Sequence, residues 1–144
     1  NPPVDSASTG VKIVRTLYRY NNDWEAISPS TVLAPGDKIR ATLTITSPRM
    51  LQYVYIDEKR AAACEPTDAT SGYEYTKQFT YFKSVRDIGF RFFAEKIPSG
   101  VSQLSYEMVV AKTGSFNWGP AVLECMYRPE IKAYSNSLSL EIKE

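Results

Sequence analysis

The sequence offers carboxylates that could do acid–base chemistry, but it contains no histidine. His-based catalytic triads and His zinc sites are therefore excluded. Glycoside hydrolysis needs two carboxyl groups about 5 to 9.5 Å apart across a cleft. Asp57 and Glu58 do not meet this requirement on a strand, because consecutive side chains point to opposite faces. Glu107, Glu124 and Glu141 fall on strand faces that we predict to be exposed to solvent. No acid–base pair is visible, so we predict that the chain is not an enzyme.

Cys64 and Cys125 are the two cysteines, and neither lies beside a second Cys. Metal-ligand and redox CxxC spacings are absent, and a nucleophilic thiol would lack a His base. We therefore expect no metal and no cofactor. A disulfide would close a loop of about 60 residues and remove denatured-state entropy worth on the order of 4 kcal/mol. We predict a Cys64–Cys125 disulfide, with two buried free thiols as the alternative.

The length and net charge of the chain indicate its domain organisation and the kinds of partner that it could bind. A chain of 144 residues with 43% hydrophobic composition suits a single domain. Its net charge of +1 provides no field to attract nucleic acid, and no apolar run approaches the roughly 20 residues that span a bilayer. We expect residues 1–10 to be a flexible segment and residues 11–144 to form one domain. Because the chain begins at Asn1 rather than Met, we expect it to be a fragment of a larger protein.

Apolar residues recur at every second position, which is typical of strands with one buried face. In 38–46, for example, Ile39, Ala41, Leu43 and Ile45 alternate with polar residues. Turn signals separate such segments, so the sequence predicts an all-β fold, an antiparallel β-sandwich of about seven strands. The long connection 59–84 is expected to hold one short helical turn or a short strand. The predicted strands are 11–20, 38–46, 51–57, 88–94, 104–110, 121–127 and 138–144.

The aromatic residues suggest an alternative function. Surface tyrosines and tryptophans could stack against sugars or anchor a protein partner, although strands favour aromatic residues in any case. A carbohydrate-binding or adhesin-like sandwich is therefore the second hypothesis, and coplanar rings on one exposed face would support it. The residues concerned are Tyr18, Tyr20, Trp24, Tyr53, Tyr55, Tyr73 and Tyr75.

The order of motifs along the chain is more specific than any single motif. Over roughly 11–142 it resembles the C-terminal macroglobulin-like domain of the bacterial alpha-2-macroglobulins, and in particular a Bacteroides-like branch. Towards the N-terminus the motifs are LAPGD at 33–37, YVYID at 53–57 and DEKRAAACEP at 57–66. Further along they are Arg86-Asp87, Phe92-Phe93, IPSG at 97–100, Tyr106-Glu107, GSF at 114–116, Pro120 and ECMYRPEI at 124–131.

This resemblance implies a macroglobulin- or immunoglobulin-like module of a large protease inhibitor, which reaches its target proteases through the parent protein. It implies a bacterial periplasmic or cell-surface location, as part of a lipoprotein. The family's thioester lies in a Cys-x-x-Gln stretch of a separate helical domain, and neither cysteine here has Gln at that place. The resemblance therefore implies that this module packs against other domains of its parent, notably the thioester-type domain. We expect the isolated domain to be monomeric.

Bulky side chains on such a module would keep water and amines away from the thioester. Met126, Tyr127 and Arg128, in a Met-Tyr-x-Pro element, are the interdomain-contact candidates that the resemblance implies. The alternative for Tyr127 is an ordinary core position, because it continues the inward phase of Cys125 along the predicted strand.

Overall fold

A computed structural model describes residues 9–68, 70–86 and 89–144. Most of the flexible segment predicted over 1–10 lies outside the described residues. Among the described residues, no helix is long and apolar enough to cross a membrane. This part of the chain contains fourteen strands. They are β1 (Lys12–Tyr20), β2 (Trp24–Ala26), β3 (Val32–Leu33), β4 (Lys38–Ser47), β5 (Leu51–Lys59), β6 (Cys64–Pro66), β7 (Gly72–Tyr75), β8 (Thr80–Arg86), β9 (Gly89–Ile97), β10 (Gly100–Val110), β11 (Gly114–Trp118), β12 (Val122–Cys125), β13 (Arg128–Tyr134) and β14 (Leu138–Ile142).

These strands form two large sheets and one small one. The first sheet has the order β2-β1-β4-β10-β6, the second has the order β13-β12-β5-β9-β8-β7, and the third has the order β11-β14-β3. Strand pairs are antiparallel except for β14 with β3. The two large sheets face each other, since the rings of Phe90 on β9 and Tyr106 on β10 lie 4.4 Å apart between centroids. The predicted antiparallel β-sandwich is confirmed.

Period-two alternation places the core between the large sheets. In β4 the side chains of Ile39, Ala41, Leu43 and Ile45 are buried, as their spacing predicts. The same holds in β10, where Leu104, Tyr106, Met108 and Val110 point inward. Burial of these alternating apolar side chains is the main force that holds the sheets together.

The predicted number of strands, about seven, was wrong, because the described residues form fourteen. Each of the seven predicted segments contains a strand, although Ile88 lies outside the described residues and 121–127 ends early, at Cys125. The described part of 59–84 forms β6, β7 and β8 rather than a helical turn. The strands β6 and β7 are short, and β8 buries Lys83 at an inward position, which hides its alternation. Four further strands, β2, β3, β11 and β13, are too short or too polar to show a clear period.

Candidate docking surface

A charged cluster is buried between the two large sheets. The side chains of Arg15 on β1 and Glu58 on β5 have no exposed area and form a bidentate ion pair. Arg15 Nε donates to Glu58 Oε2 at 3.0 Å, and Arg15 Nη2 donates to Glu58 Oε1. The hydroxyl of Tyr106 on β10 donates to Glu58 Oε2 at 2.9 Å. One carboxylate therefore joins three strands of the two facing sheets.

The third sheet is tied to the same cluster through Trp118 of β11. The central carbon of the Arg15 guanidinium lies 3.9 Å from a Trp118 ring centroid. Trp118 Nε1 donates to the Lys59 carbonyl oxygen at 2.8 Å. Arg15 Nη1 is buried without a hydrogen-bond partner among the described residues. The aromatic face partly replaces the missing partner, because a guanidinium is weakly hydrated and stacks well on indole.

The ion pair at the centre of this cluster is sealed from solvent. Burial raises the pKa of the Glu58 carboxyl, and the Arg15 and Tyr106 hydrogen bonds offset part of that rise. Burial raises the pKa of Tyr106 well above its usual range, and the charge of Glu58 is the second cause of this rise. Because the Arg15 and Glu58 side chains are sealed from solvent, a dissolved substrate cannot contact the ion pair. Asp57 lies on the other side of β5 and pairs with Arg91, which confirms that Asp57 and Glu58 face opposite ways.

An exposed hairpin joins β12 to β13. Cys125 pairs with Arg128 across it, so Met126 and Tyr127 occupy its two turn positions. Their side chains are 44% and 75% exposed. The Met126 N–H donates to the Tyr53 carbonyl oxygen at 2.9 Å and so fastens the hairpin to β5. The hairpin therefore holds two large apolar side chains out in solvent.

Tyr53 supports this hairpin from β5. Its φ is 53°, in the left-handed region that a bulky residue seldom adopts. Gln52 and Tyr53 are both exposed here, where a regular strand would turn one of them inward. The Tyr53 ring meets the Tyr127 ring edge to face, with centroids 5.2 Å apart. Met50, in the turn between β4 and β5, is also exposed. We call Met50, Tyr53, Met126 and Tyr127 the tip surface.

A pocket of about 260 Å³ lies at the tip surface. Among its described lining residues, Arg49 and Arg128 carry the only charges. Arg128 Nε donates to Glu130 Oε2 at 2.6 Å, and this hydrogen bond lowers the pKa of Glu130. Because the two arginines outnumber this one carboxylate, the rim of the pocket carries a net positive charge. Its other described lining residues are Met50, Leu51, Gln52, Tyr53, Cys125, Tyr127 and Ile131.

The three sequence candidates, Met126, Tyr127 and Arg128, lie together at this surface. The core alternative for Tyr127 was wrong, because the chain reverses directly after Cys125 and the inward phase ends there. Arg128 begins β13, an edge strand that tolerates Pro129 because a free edge needs no N–H donor.

Met50 was missed in the sequence, and Tyr53 was named only among the aromatic residues that could bind a sugar or anchor a protein partner. The available signal was a break in the alternation of β5, where the buried residues Leu51 and Val54 are three positions apart instead of two. Such a break indicates an irregular, outward-bulging stretch of strand.

The predicted Cys64–Cys125 disulfide was wrong. The structure instead has two buried free thiols, which was the alternative. Cys64 lies opposite Val110 in the first sheet, and Cys125 lies opposite Val54 in the second. Burial raises the pKa of Cys64 to about 11, and burial also raises the pKa of Cys125. These thiols are not activated nucleophiles, which need a lowered pKa. Among the described residues, no group of three or more His, Cys, Asp or Glu could hold a metal ion.

An aromatic row crosses the outer face of the second sheet. Tyr73, Phe82, Phe93 and Tyr55 are successive cross-strand neighbours on β7, β8, β9 and β5. The rings of Tyr73 and Phe82 are inclined by 77°, and those of Tyr55 and Phe93 by 40°. These pairs therefore lack the common plane that was expected of a sugar-stacking platform.

These observations define an antiparallel β-sandwich module with a sealed charge cluster and an apolar tip. Residues 10–130 match the family model of the bacterial alpha-2-macroglobulin MG10 domain. The chain therefore belongs to this family, and the resemblance noted in its sequence is confirmed. No curated protein matches the chain.

Solved structures show the same fold. A Salmonella alpha-2-macroglobulin reacted with methylamine superposes with a TM-score of 0.74 at 18% identity, over 93% of this chain and 9% of that protein. Trypsin-activated alpha-2-macroglobulin from Escherichia coli gives 0.73 at 13% identity, over 93% and 10%. Native Escherichia coli alpha-2-macroglobulin from domain MG7 to the C-terminus gives 0.69 at 15% identity, over 93% and 23%. The chain thus spans about a tenth of the first two proteins.

Proposed function

We propose that this chain is a non-catalytic docking module of a bacterial alpha-2-macroglobulin-like protease inhibitor. The observation that carries the proposal is the exposed hairpin, which presents Met126 and Tyr127 to solvent. Large apolar side chains grouped on a surface mark interaction sites, because their burial against a partner is favourable. We place the contact at the tip surface and treat residues 11–144 as one domain that is monomeric in isolation.

The hairpin suits this role because its shape is set before a partner arrives. The turn has only two residues, its Met126 N–H is bound to the Tyr53 carbonyl oxygen, and the Tyr127 ring rests on the Tyr53 ring. A preorganised contact loses little conformational entropy on binding, so more of the burial energy appears as affinity. Tyrosine and methionine are also enriched at interface centres.

We propose that the partner is another part of the same parent protein, the thioester-type helical domain. Family membership supports this, together with the small fraction of its structural neighbours that the chain covers. An aromatic tip packed over a reactive bond would exclude water and amines by occupying the space. Through the parent, the module would contribute to the response to target proteases in the periplasm or at the cell surface, on a lipoprotein.

Absence of catalysis is part of the proposal. The Arg15–Glu58 ion pair is sealed from solvent, and burial raises the pKa of both described thiols. The purified module is therefore expected neither to hydrolyse substrates nor to inhibit proteases alone.

The experiment is a binding titration between the purified module and the parent protein expressed without it, by calorimetry. Tyr127→Ser and Met126→Ser should each weaken binding by about tenfold or more if they are central contacts. The matched control is Tyr75→Ser, because Tyr75 is 81% exposed on β7, far from the hairpin in sheet order. Failure of the folded wild-type module to bind, or equal effects of the Tyr127 and Tyr75 changes, would count against the proposal.

A further inference from the structure

The tip surface contains a recess as well as projecting side chains. The pocket between the β4–β5 turn and the β12–β13 hairpin has a volume of about 260 Å³. Small-molecule sites usually measure roughly 300–1,000 Å³, so this pocket lies just below their range and still has room for one large side chain. Its floor includes the buried residues Leu51, Cys125 and Ile131. The recess is therefore suited to an apolar or aromatic anchor from a protein partner.

The charges around this recess are unbalanced. Arg49 and Arg128 are the charged members of its described lining, and both are exposed. Glu130 neutralises Arg128 through their ion pair. The Arg49 charge also helps to lower the pKa of Glu130, so two guanidinium groups share one carboxylate, and among the described residues the Arg49 side chain has no direct hydrogen bond or ion pair. One guanidinium with five N–H donors is thus left at the rim of an apolar recess.

We propose that the recess binds a segment of the parent polypeptide outside this module, and that this segment presents an apolar or aromatic anchor side chain next to a carboxylate. The anchor fills the pocket that Tyr53 and Tyr127 help to line, and the carboxylate pairs with Arg49. An arginine–carboxylate pair at the rim would fix the register of the contact and speed its formation. This inference rests on the proposed function, to which it adds the chemistry of the partner.

The test compares charge reversal with loss of apolar contact in the same titration. Arg49→Glu should weaken binding of the module to the parent lacking it by about tenfold or more at low salt, and the difference should shrink as salt screens it. Lys112→Glu is the matched control, because it makes the same change of charge at an exposed position outside the described pocket lining. Tyr127→Ser should weaken binding with little dependence on salt.

The outcomes separate the two proposals. If Tyr127→Ser weakens binding but Arg49→Glu matches Lys112→Glu, or strengthens binding, the acidic-partner inference is wrong and the docking proposal stands. If neither change weakens binding, both fall. Circular dichroism spectra that match the wild type establish that each variant is folded.

A second measurement identifies the segment directly. A benzophenone amino acid at position 50, replacing the half-exposed Met50, is irradiated in the full-length parent, and the crosslinked peptide is sequenced. The inference expects a peptide of the same chain that contains Asp or Glu beside an apolar residue. A peptide without a carboxylate, or one from another molecule, would overturn it.

Discussion

The ring of Tyr127, at the end of the β12–β13 hairpin, meets the ring of Tyr53 on β5 edge to face, with centroids 5.2 Å apart. This contact joins the hairpin to the start of β5, which is distant in sequence, and makes them one surface. Because both residues remain substantially exposed, the contact does not serve the core. Edge-to-face aromatic pairs are worth about 0.5–1.5 kcal/mol beyond their buried area, which favours one orientation of the hairpin.

Tyr127→Ser should therefore leave the module stable. We expect a change in the free energy of unfolding of less than about 1 kcal/mol, as for surface positions. Tyr106→Phe is the contrasting change, because it removes a buried hydrogen bond to the Glu58 carboxylate and should cost about 1.5–3 kcal/mol. Urea denaturation of both variants measures the difference. A Tyr127→Ser variant as destabilised as Tyr106→Phe would show that Tyr127 is a core residue after all.

Breaking the buried ion pair should destabilise the fold strongly. Glu58→Gln leaves the Arg15 charge without its counter-ion in a site with no exposed area, at a cost of about 3–5 kcal/mol. Glu107→Gln is the control, since it breaks a half-exposed pair with Arg40 and should cost less than about 1 kcal/mol. Chemical denaturation at neutral pH gives both values.

Replacing both partners should recover much of that loss. In the double variant Arg15→Met and Glu58→Met no unpaired charge is buried, and apolar replacements of buried ion pairs are often neutral or stabilising. If the double variant is no more stable than Glu58→Gln, the pair contributes more than charge compensation.

Buried Cys64 should make stability fall at alkaline pH. Its pKa rises from 9.0 to about 11 on folding, so between these values the unfolded chain loses a proton that the folded chain keeps. The contribution is fully present below pH 9, and it is lost as pH rises through 11. The loss is up to about 3 kcal/mol at 1.36 kcal/mol per pKa unit. Unfolding of the wild type and Cys64→Ala across this range should show a steeper decline for the wild type, and parallel curves would contradict the prediction.

The free thiols make a separate, simple prediction. In denaturant without reductant, iodoacetamide should add two labels to the chain, because Cys64 and Cys125 are not bonded to each other. In the native protein both should react far more slowly, since burial keeps each thiol protonated and covered. Intact-mass spectrometry reads the number of labels. An unlabelled chain in denaturant would establish the disulfide.

Gly89 should not tolerate a side chain. Its φ is 148°, and an added Cβ would collide with the Glu58 carbonyl oxygen and lie 2.8 Å from the Arg60 nitrogen. Gly89→Ala should therefore cost about 3 kcal/mol, because the clash with main-chain atoms adds to backbone strain of about 1–3 kcal/mol. Gly119→Ala is the matched control, because an added Cβ there meets nothing within 4 Å. Thermal unfolding of the two variants tests the contrast.

The sequence was sufficient for the strands with clear alternation and insufficient for those that are very short or interrupted by polar residues. In β4 four buried apolar residues alternate with less buried ones, and this pattern appears directly in the sequence. In contrast, β3 has two residues and β2 has three, so a period cannot be read from them. Pairing with longer neighbours determines such strands, and pairing depends on the whole fold.

The buried Arg15–Glu58 ion pair and the tip surface were predictable to different degrees. Arg15 shares the inward phase of Ile13 and Leu17, so its burial could have been predicted from β1 alone. Its partner could not, because Glu58 is 43 residues away and meets it only when the sheets stack. At the hairpin, phase suggested that Tyr127 points inward, and a two-residue turn reversed this.

Hydrogen–deuterium exchange of the module, alone and with the parent protein that lacks it, tests the docking account most directly. The account predicts that backbone amides of 49–54 and 122–131, which carry the tip surface, exchange more slowly in the complex, whereas those of β7 (Gly72–Tyr75) do not change. Slower exchange confined to β7 and its neighbours, or no change anywhere despite binding, would contradict it.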